Sequence, residues 1–317
     1  MNAATKLELP YEILCDTDEE PDWLSARFAG IGSSEIGAVI GMAGSYSSAF
    51  KLFLEKTGAL EPEDLSDVEA IRWGHRLEPV IAEDYRERTG RRVTRGRRGK
   101  YCVLRSKEHP WALASLDFWT GESANDAIDW PLEVKNANAF RADDWVNGTP
   151  DYYIAQLHQQ MLVCGTDRAT SAVLIGGNKL AWCDVHRDET LIRKIVYQGA
   201  LFWERIQQKN PPEPDGSDAT REALRRLYPE SDGQAVVLPA ELEEIVYEWR
   251  RLKKLESSNK KTLQKLEAAI KATLGSAERG IIMSTGDAIS WASHRVEEHV
   301  VKAFTQRPLR FLESKRG

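Results

Sequence analysis

The sequence is poor in the features that define several large classes of protein. Cysteine is scarce: Cys15, Cys102, Cys164 and Cys183 stand far apart, and no C-x-x-C pair occurs. That spacing gives neither a zinc ribbon nor a disulfide framework, and it reads as reduced thiols packed as small hydrophobes. No apolar run approaches the ~20 residues that span a bilayer, so no membrane segment is expected. The segment from Met1 to Pro10 lacks the basic-then-apolar layout of a signal peptide, which predicts a cytoplasmic protein. Internal repeats and low-complexity tracts are also absent.

What remains is the composition of a globular protein, 42% hydrophobic and 29% charged over 317 residues. That length allows one large domain, or a core domain with an appendage. The net charge of −6 argues weakly against nucleic acid, but its distribution argues the other way. From Arg86 to Lys107 ten residues are Lys or Arg and one, Glu87, is acidic. Phosphate binding needs a local basic surface rather than a basic total. A solvated charged face is the competing explanation for the same stretch.

Three zones follow one another: a core over 1–208, a linker over 209–237 and a C-terminal zone over 238–317. The linker contains Pro-Pro-Glu-Pro-Asp-Gly-Ser-Asp, which breaks regular structure. In the core, Ser33 and Ser34 precede a small-residue helix from Glu35 to Ile40. Ser47 or Ser48 is placed to cap a helix carrying Phe50, Phe53 and Leu54, which Gly58 closes. A further helix runs from about Val68 to Thr89 and ends at Gly90. The period then shortens to that of strands around Val93, over Tyr101 to Leu104, Trp111 to Trp119 and Leu132 to Lys135. A helix from about Asp151 to Val163 ends at Gly165. Two strands, Thr170 to Ile175 and Leu180 to Val185, flank a Gly176-Gly177-Asn178 turn, and a helix spans Leu191 to Gln208. This order predicts an α/β core, a mixed sheet flanked by helices.

The third zone opens with apolar residues at mostly helical spacing, Leu242 through Leu274. They describe a helix of roughly 50 Å whose apolar face is expected to pack in a core, with a subunit or DNA as alternatives. A small hairpin follows over Gly280 to Met283 and Ala288 to Trp291. The tail Arg307-Pro308-Leu309-Arg310-Phe311 is basic and aromatic.

The chemistry concentrates at three residues. Asp117 sits in the strand-like run Ala114-Ser115-Leu116-Asp117-Phe118, and Glu133 and Lys135 sit in Pro131-Leu132-Glu133-Val134-Lys135. Residues two apart on a strand share a face, so Glu133 and Lys135 project together while Val134 points into the core. Two carboxylates can hold a hard divalent cation such as Mg²⁺, and the Val134 carbonyl is a further oxygen ligand. Such an ion lowers the pKa of bound water and neutralises charge on a phosphoryl group, and a lysine beside it can orient the water. A cross-strand surface salt bridge is the plain alternative. Bulky apolar neighbours make that costly unless the charges are paired or metal-bound.

The sequence resembles the lambda-exonuclease-like, YqaJ-type viral recombinase branch of the PD-(D/E)xK nucleases. The resemblance runs in order from about Arg27 to Glu204. It takes in Arg27, Gly30-Ile31-Gly32-Ser33-Ser34-Glu35-Ile36 and Leu52-Phe53-Leu54-Glu55-Lys56-Thr57-Gly58. Then come Gly74-His75-Arg76-Leu77-Glu78-Pro79, Ser115-Leu116-Asp117, Leu132-Glu133-Val134-Lys135, and Tyr152 through Met161 with Gly165. It implies a restriction-endonuclease-like core. Asp117, Glu133, Val134 and Glu78 would serve as metal ligands for Mg²⁺ or Mn²⁺, two ions per site, with Lys135 as the catalytic lysine and Gln156 beside it. It places Arg27, Ser33, Ser34 and Ser115 near a DNA 5′-phosphate. Arg95, Arg97 and Arg98 are assigned to the DNA backbone from charge alone.

The implied activity is 5′-to-3′ degradation of one strand of linear duplex DNA. It leaves a 3′ single strand for a single-strand annealing protein. The implied setting is a phage or prophage gene expressed in a bacterial cytoplasm, with a homo-oligomer, a trimeric ring, as the assembly. The sequence departs from the family at His158, where a second glutamine is usual; a satisfied, partly buried histidine is expected there. The rivals are a same-fold endonuclease and a DNA-binding recombination protein with a weak core. Four clustered cysteines, needed for an iron–sulfur nuclease, are missing.

Overall fold

The computed structural model describes residues 9–17, 20–95, 101–122, 129–295 and 308–310. Arg97 and Arg98, and Arg307 and Phe311 of the tail, lie outside them. The chain divides into two compact units, Met1–Leu227 and Tyr228–Gly317. Among the described residues no helix is long and apolar enough to cross a membrane.

The first unit opens with strand β1 (Tyr11–Thr17) and helices α1 (Glu20–Arg27), α2 (Ile36–Val39), α3 (Ala49–Lys56) and α4 (Glu69–Thr89). Ser48 caps α3, its hydroxyl accepting the Lys51 N–H at 3.1 Å. Gly90 stops α4 in the left-handed region, at φ 70°, which glycine adopts without strain. Strands β2 (Arg92–Thr94), β3 (Tyr101–Ser106), β4 (Leu113–Ser115), β5 (Phe118–Gly121) and β6 (Trp130–Ala137) follow. A 3-10 helix over Ala139–Trp145 leads into α5 (Asp151–Cys164). The unit closes with β7 (Arg168–Ile175), β8 (Lys179–His186), α6 (Glu189–Gln208) and α7 (Asp218–Leu227).

The strands form a five-stranded sheet in the order β2-β5-β6-β7-β8 and a three-stranded sheet β1-β3-β4. The larger sheet is mixed: β6 and β7 run parallel, joined across α5, and its other pairs are antiparallel. This is the mixed sheet flanked by helices that the sequence led us to expect. The alternation along β6 decides what faces what. Leu132 and Val134 pack with Ile81, Ala82 and Tyr85 of α4, whereas Glu133 and Lys135 face the opposite layer, where α5 lies.

Two expectations change. The strand expected over Trp111–Trp119 is two strands in two sheets, with Leu116 and Asp117 at the break. And the stretch taken as linker, 209–237, is folded in part: α7 buries Thr220 and Ala223, with the Thr220 and Ser48 hydroxyls 2.7 Å apart. An eight-to-ten-residue amphipathic stub flanked by prolines looks like a linker until its one apolar side finds a surface.

The second unit contains α8 (Glu241–Leu274), 34 residues and so about 51 Å long, and the hairpin β9 (Arg279–Ile281) and β10 (Ala288–Ser290). Within this unit no residue of α8 is buried.

Candidate active site

The site exists because a strand ladder stops early. β5 pairs with β6 only from Phe118–Leu132 to Thr120–Trp130. Upstream of Asp117 the chain has crossed to the other sheet, where β4 pairs with β3. β6 continues to Ala137 against β7 alone. The side chain of Asp117 takes the place of the missing strand, its Oδ2 accepting the Val134 N–H at 2.8 Å. The N–H and C=O of one strand residue point to the same edge, so the Val134 carbonyl faces this gap too. Its side chain is in the core, and Val134 therefore lines the gap with backbone.

The gap opens into a cleft of ≈ 330 Å³. Glu133 is only 3% exposed on its floor, and among the described residues its carboxylate accepts from donors on β6 and α5. Lys135 Nζ and Gln156 Nε2 donate to Oε1, the latter at 2.6 Å, and Gln160 Nε2 donates to Oε2 at 2.6 Å. Burying a carboxylate is tolerable on these terms. Burial works to lower the pKa of Lys135, but Glu133 and Asp117 beside it outweigh that and hold the ammonium above its ordinary value. Burial pushes Asp117 well above the usual carboxylate range, and the charge of Glu133 adds to it.

Glu78 reaches the same cleft from α4. Burial raises it; His75 one turn earlier and Arg95 work to lower it, and Glu133 adds to the rise. Arg95 donates to Glu78 Oε2 at 3.0 Å and lies over the Phe118 ring, 5.1 Å from its centre. Asp117, Glu133 and Glu78 thus repel one another in a partly dry cleft.

That donor set fits a hard cation. Among the described residues no three His, Cys, Asp or Glu side chains are gathered closely enough to hold a metal by themselves. The ligands on offer are mixed: the carboxylates of Asp117 and Glu133, the Val134 carbonyl, Glu78 behind them, and water. Oxygen ligands of this kind suit Mg²⁺ or Mn²⁺ rather than a thiolate- or imidazole-seeking ion. A cation there would relieve the repulsion that adds to the burial-driven rise of Asp117 and Glu78.

Arg27, Gly32, Ser33, Ser34 and Ser115 line the same cleft. A charged knot holds Arg27 and Gly32. Glu35 accepts from Lys56 at 2.9 Å, from Arg27 at 3.3 Å and from the Gly32 N–H at 2.7 Å. Burial works to raise Glu35, and Lys56 and Arg27 outweigh it, so the carboxyl stays below its ordinary value. α2 has four residues, and the Gly32 N–H is given to Glu35. The Arg27 guanidinium, paired with Glu35, and the serine hydroxyls face the cleft as well.

A family model described as a YqaJ-like viral recombinase domain matches residues 22–167, a span that takes in the cleft residues from Arg27 to Gln160. The uncharacterized protein YqaJ of Bacillus subtilis (strain 168) is 32% identical over 251 residues, 77% of this chain and 75% of that one. The chain belongs to the YqaJ family. Among solved structures, an alkaline exonuclease (LHK-Exo) from Laribacter hongkongensis aligns at a TM-score of 0.49 and 20% identity, over 60% of this chain and 94% of that one. Its complex with dAMP gives 0.48 and 21%, over 65% and 96%. A phage related exonuclease from Haemophilus somnus 129PT gives 0.41 and 11%, over 57% and 94%.

In this YqaJ-family chain the second glutamine at the site is Gln160, not the residue at 158. On a helix, four positions return to the same face and two do not. His158 points away. Its Nδ1 donates to the Ile154 carbonyl at 2.8 Å and its Nε2 accepts the Asp188 N–H at 3.0 Å, the satisfied buried histidine that was expected. The sequence reading also passed over His75 and Asn136, both in the cleft lining. The three-residue step from His75 to Glu78 on α4 was the available signal for the first.

The basic stretch is partly structural. Arg91 grips both oxygens of Asp184, at 2.8 and 2.7 Å, donates to the Tyr85 hydroxyl at 2.9 Å and lies over Trp130. Arg92 pairs with Asp129. Of the three arginines assigned to DNA, Arg95 is at the cleft beside Glu78.

Proposed function

We propose that this protein is a metal-dependent DNA exonuclease of phage-type recombination. It degrades one strand of linear duplex DNA from the 5′ end and leaves a 3′ single strand for an annealing partner. The observation that carries the reading is the pair of buried Glu133 and half-buried Lys135 facing Asp117 across an unfinished strand ladder, with an arginine- and serine-lined pocket in the same cleft. Membership of a viral recombinase family supports the setting. In it, Asp117, Glu133 and the Val134 carbonyl hold Mg²⁺ or Mn²⁺, with Glu78 assisting. The ion supplies an activated water and charge neutralisation at the phosphate. Lys135, kept protonated by its two acidic neighbours, orients that water and faces the developing charge. Gln156 and Gln160 fix the aim of Glu133. Arg27, Ser33, Ser34 and Ser115 receive the terminal 5′-phosphate, a guanidinium being suited to bidentate phosphate contact. The polarity, the two-ion site, the trimeric ring and the cytoplasmic location follow the family resemblance and belong to the same proposal.

The test is digestion of linear duplex labelled separately at its 5′ and 3′ ends, with Mg²⁺ and with EDTA, against a closed circle and the Lys135→Ala protein. Metal-dependent loss of the 5′-labelled strand, with the circle and the variant silent, is the expected result. Cutting of the circle would instead make it an endonuclease. No cleavage with Mg²⁺, or with Mn²⁺ in its place, would make it a DNA-binding protein.

A further inference from the structure

Beyond the acids and the phosphate pocket, the cleft runs out onto a cluster of aromatic rings that the nuclease chemistry does not use. Lys135 Nζ lies 4.8 Å from the centre of the Tyr153 ring. Tyr152 lies against Tyr153 with centroids 4.2 Å apart and planes tilted by 49°, and Trp145 lies 5.6 Å from Tyr153, tilted by 31°. Tyr46 meets Tyr152 edge-on at 5.6 Å, and its hydroxyl is 3.0 Å from that of Tyr153. Three separate segments bring these rings together: the loop before α3, the 3-10 helix after β6 and the first turn of α5. Gly44, at φ 80°, lets that loop close over Tyr152, whose Cδ1 would be 3.0 Å from any Cβ there.

The inner rings are half-buried and the outer one is open to water. Tyr46 is 73% exposed, and on the 3-10 helix that carries Trp145, Phe140 is 96% exposed. Rigid aromatic faces held open to water beside a catalytic lysine are placed to be covered by something flat and apolar. A nuclease that digests any sequence needs a hold on DNA that is indifferent to base identity. Stacking provides it, because every base has a π-face. Arg141, on the same 3-10 helix and paired with Asp144, lies near Tyr46 and Tyr152.

We propose that Tyr46, braced by Tyr152, Tyr153 and Trp145, is a stacking platform for an unpaired nucleobase next to the phosphate held in the cleft. The proposal rests on the nuclease reading of the cleft and names the part of the substrate that its phosphate chemistry leaves unbound.

The experiment is a binding cycle in EDTA, where no cleavage occurs, on the full chain. The probes are 5′-phosphorylated duplexes with two unpaired terminal nucleotides, either intact or abasic at those two positions, and labelled at the far end. The proteins are the parent, Tyr46→Ala and Tyr46→Phe. The parent is expected to bind the abasic probe about tenfold more weakly than the intact one, the range for one base on one ring. Tyr46→Phe keeps the ring and should keep that ratio. Tyr46→Ala should bind the intact probe about tenfold more weakly and show a ratio near one. An equal abasic penalty in the parent and in Tyr46→Ala overturns the platform, as does no penalty in the parent. A patch that serves a protein partner would give either of those results. Metal-dependent digestion by the same three proteins separates the two ideas. If the parent cleaves DNA without an abasic penalty, the platform alone fails. If it neither binds nor cleaves DNA, the nuclease reading fails and takes the platform with it.

Discussion

Gln160 on α5 donates its side-chain amide to Oε2 of Glu133 on β6 at 2.6 Å, while Gln156, one turn earlier, holds Oε1 at the same distance. Two amides from one helix face therefore fix both oxygens of a carboxylate on the strand beneath. A carboxylate has about four lone-pair directions, so those left over point where the clasp allows.

Replacing Gln160 by Leu should leave the fold intact and weaken the site. Partners that orient a metal ligand contribute about 10- to 100-fold to metal affinity or activity. We expect the Mn²⁺ concentration for half-maximal cleavage to rise within that range, and direct titration of Mn²⁺ into the protein to shift likewise. An unchanged Mn²⁺ affinity would remove Gln160 from the site.

Gly30 is fixed by a close approach. A Cβ there would come within 2.4 Å of the Trp111 carbonyl oxygen and 2.8 Å of Leu113 Cγ. The Ile31 N–H donates to that same Trp111 oxygen at 2.7 Å, so the backbone cannot withdraw without losing a bond. Overpacking of this kind costs about 1–3 kcal/mol. Gly30→Ala should lower Tm by several degrees in a thermal melt, and a Tm equal to the parent's would contradict the geometry.

Arg91 is expected to behave as scaffold. Arg91→Ala removes a bidentate pair with Asp184 that is largely shielded from solvent, and should cost about 2 kcal/mol, between the values for surface and buried pairs. The salt dependence of DNA binding should not change, because its slope falls by about one only when a protein ceases to neutralise a phosphate. Arg95→Ala should flatten that slope. A flatter slope for Arg91→Ala would return Arg91 to the DNA path.

His158 makes stability depend on pH in a defined direction. Burial lowers its folded pKa below the ordinary value of 6.5, so the folded state favours the neutral ring. Its contribution is fully present above pH 6.5 and is lost as pH falls through the lower folded value. Tm should therefore fall from pH 7 to pH 5 more steeply in the parent than in His158→Gln, which can keep the bonds to Ile154 and Asp188. Parallel Tm profiles across that window would exclude the effect.

The sequence made legible what is decided locally. Gly90 and Gly165 end α4 and α5 because a left-handed cap is a property of one residue, and the alternation at Glu133, Val134 and Lys135 follows from strand period alone. What it hid depends on distant pairing. Nothing near Leu116 and Asp117 announces that the chain changes sheets there; the break appears only when β4 finds β3 and β5 finds β6. Arg91 reads as a phosphate ligand until Asp184, 93 positions on, takes it. Gln160 was within reach, since its four-residue step from Gln156 places both on one helix face, but only the docking of α5 on β6 shows which face. The rings of Tyr46 and Tyr153 are 107 positions apart in the chain and meet only in the fold.

The unfinished ladder has one more consequence, for a single proton. In a completed sheet the Val134 amide would be guarded by a neighbouring strand and would exchange with deuterated solvent only when the sheet opens. Here its guard is a carboxylate, and in the proposed site that guard has a second occupation. Whatever draws Asp117 toward a cation loosens its hold on that amide, so deuterium uptake at Val134 reports the state of the cleft while the rest of β6 stays silent.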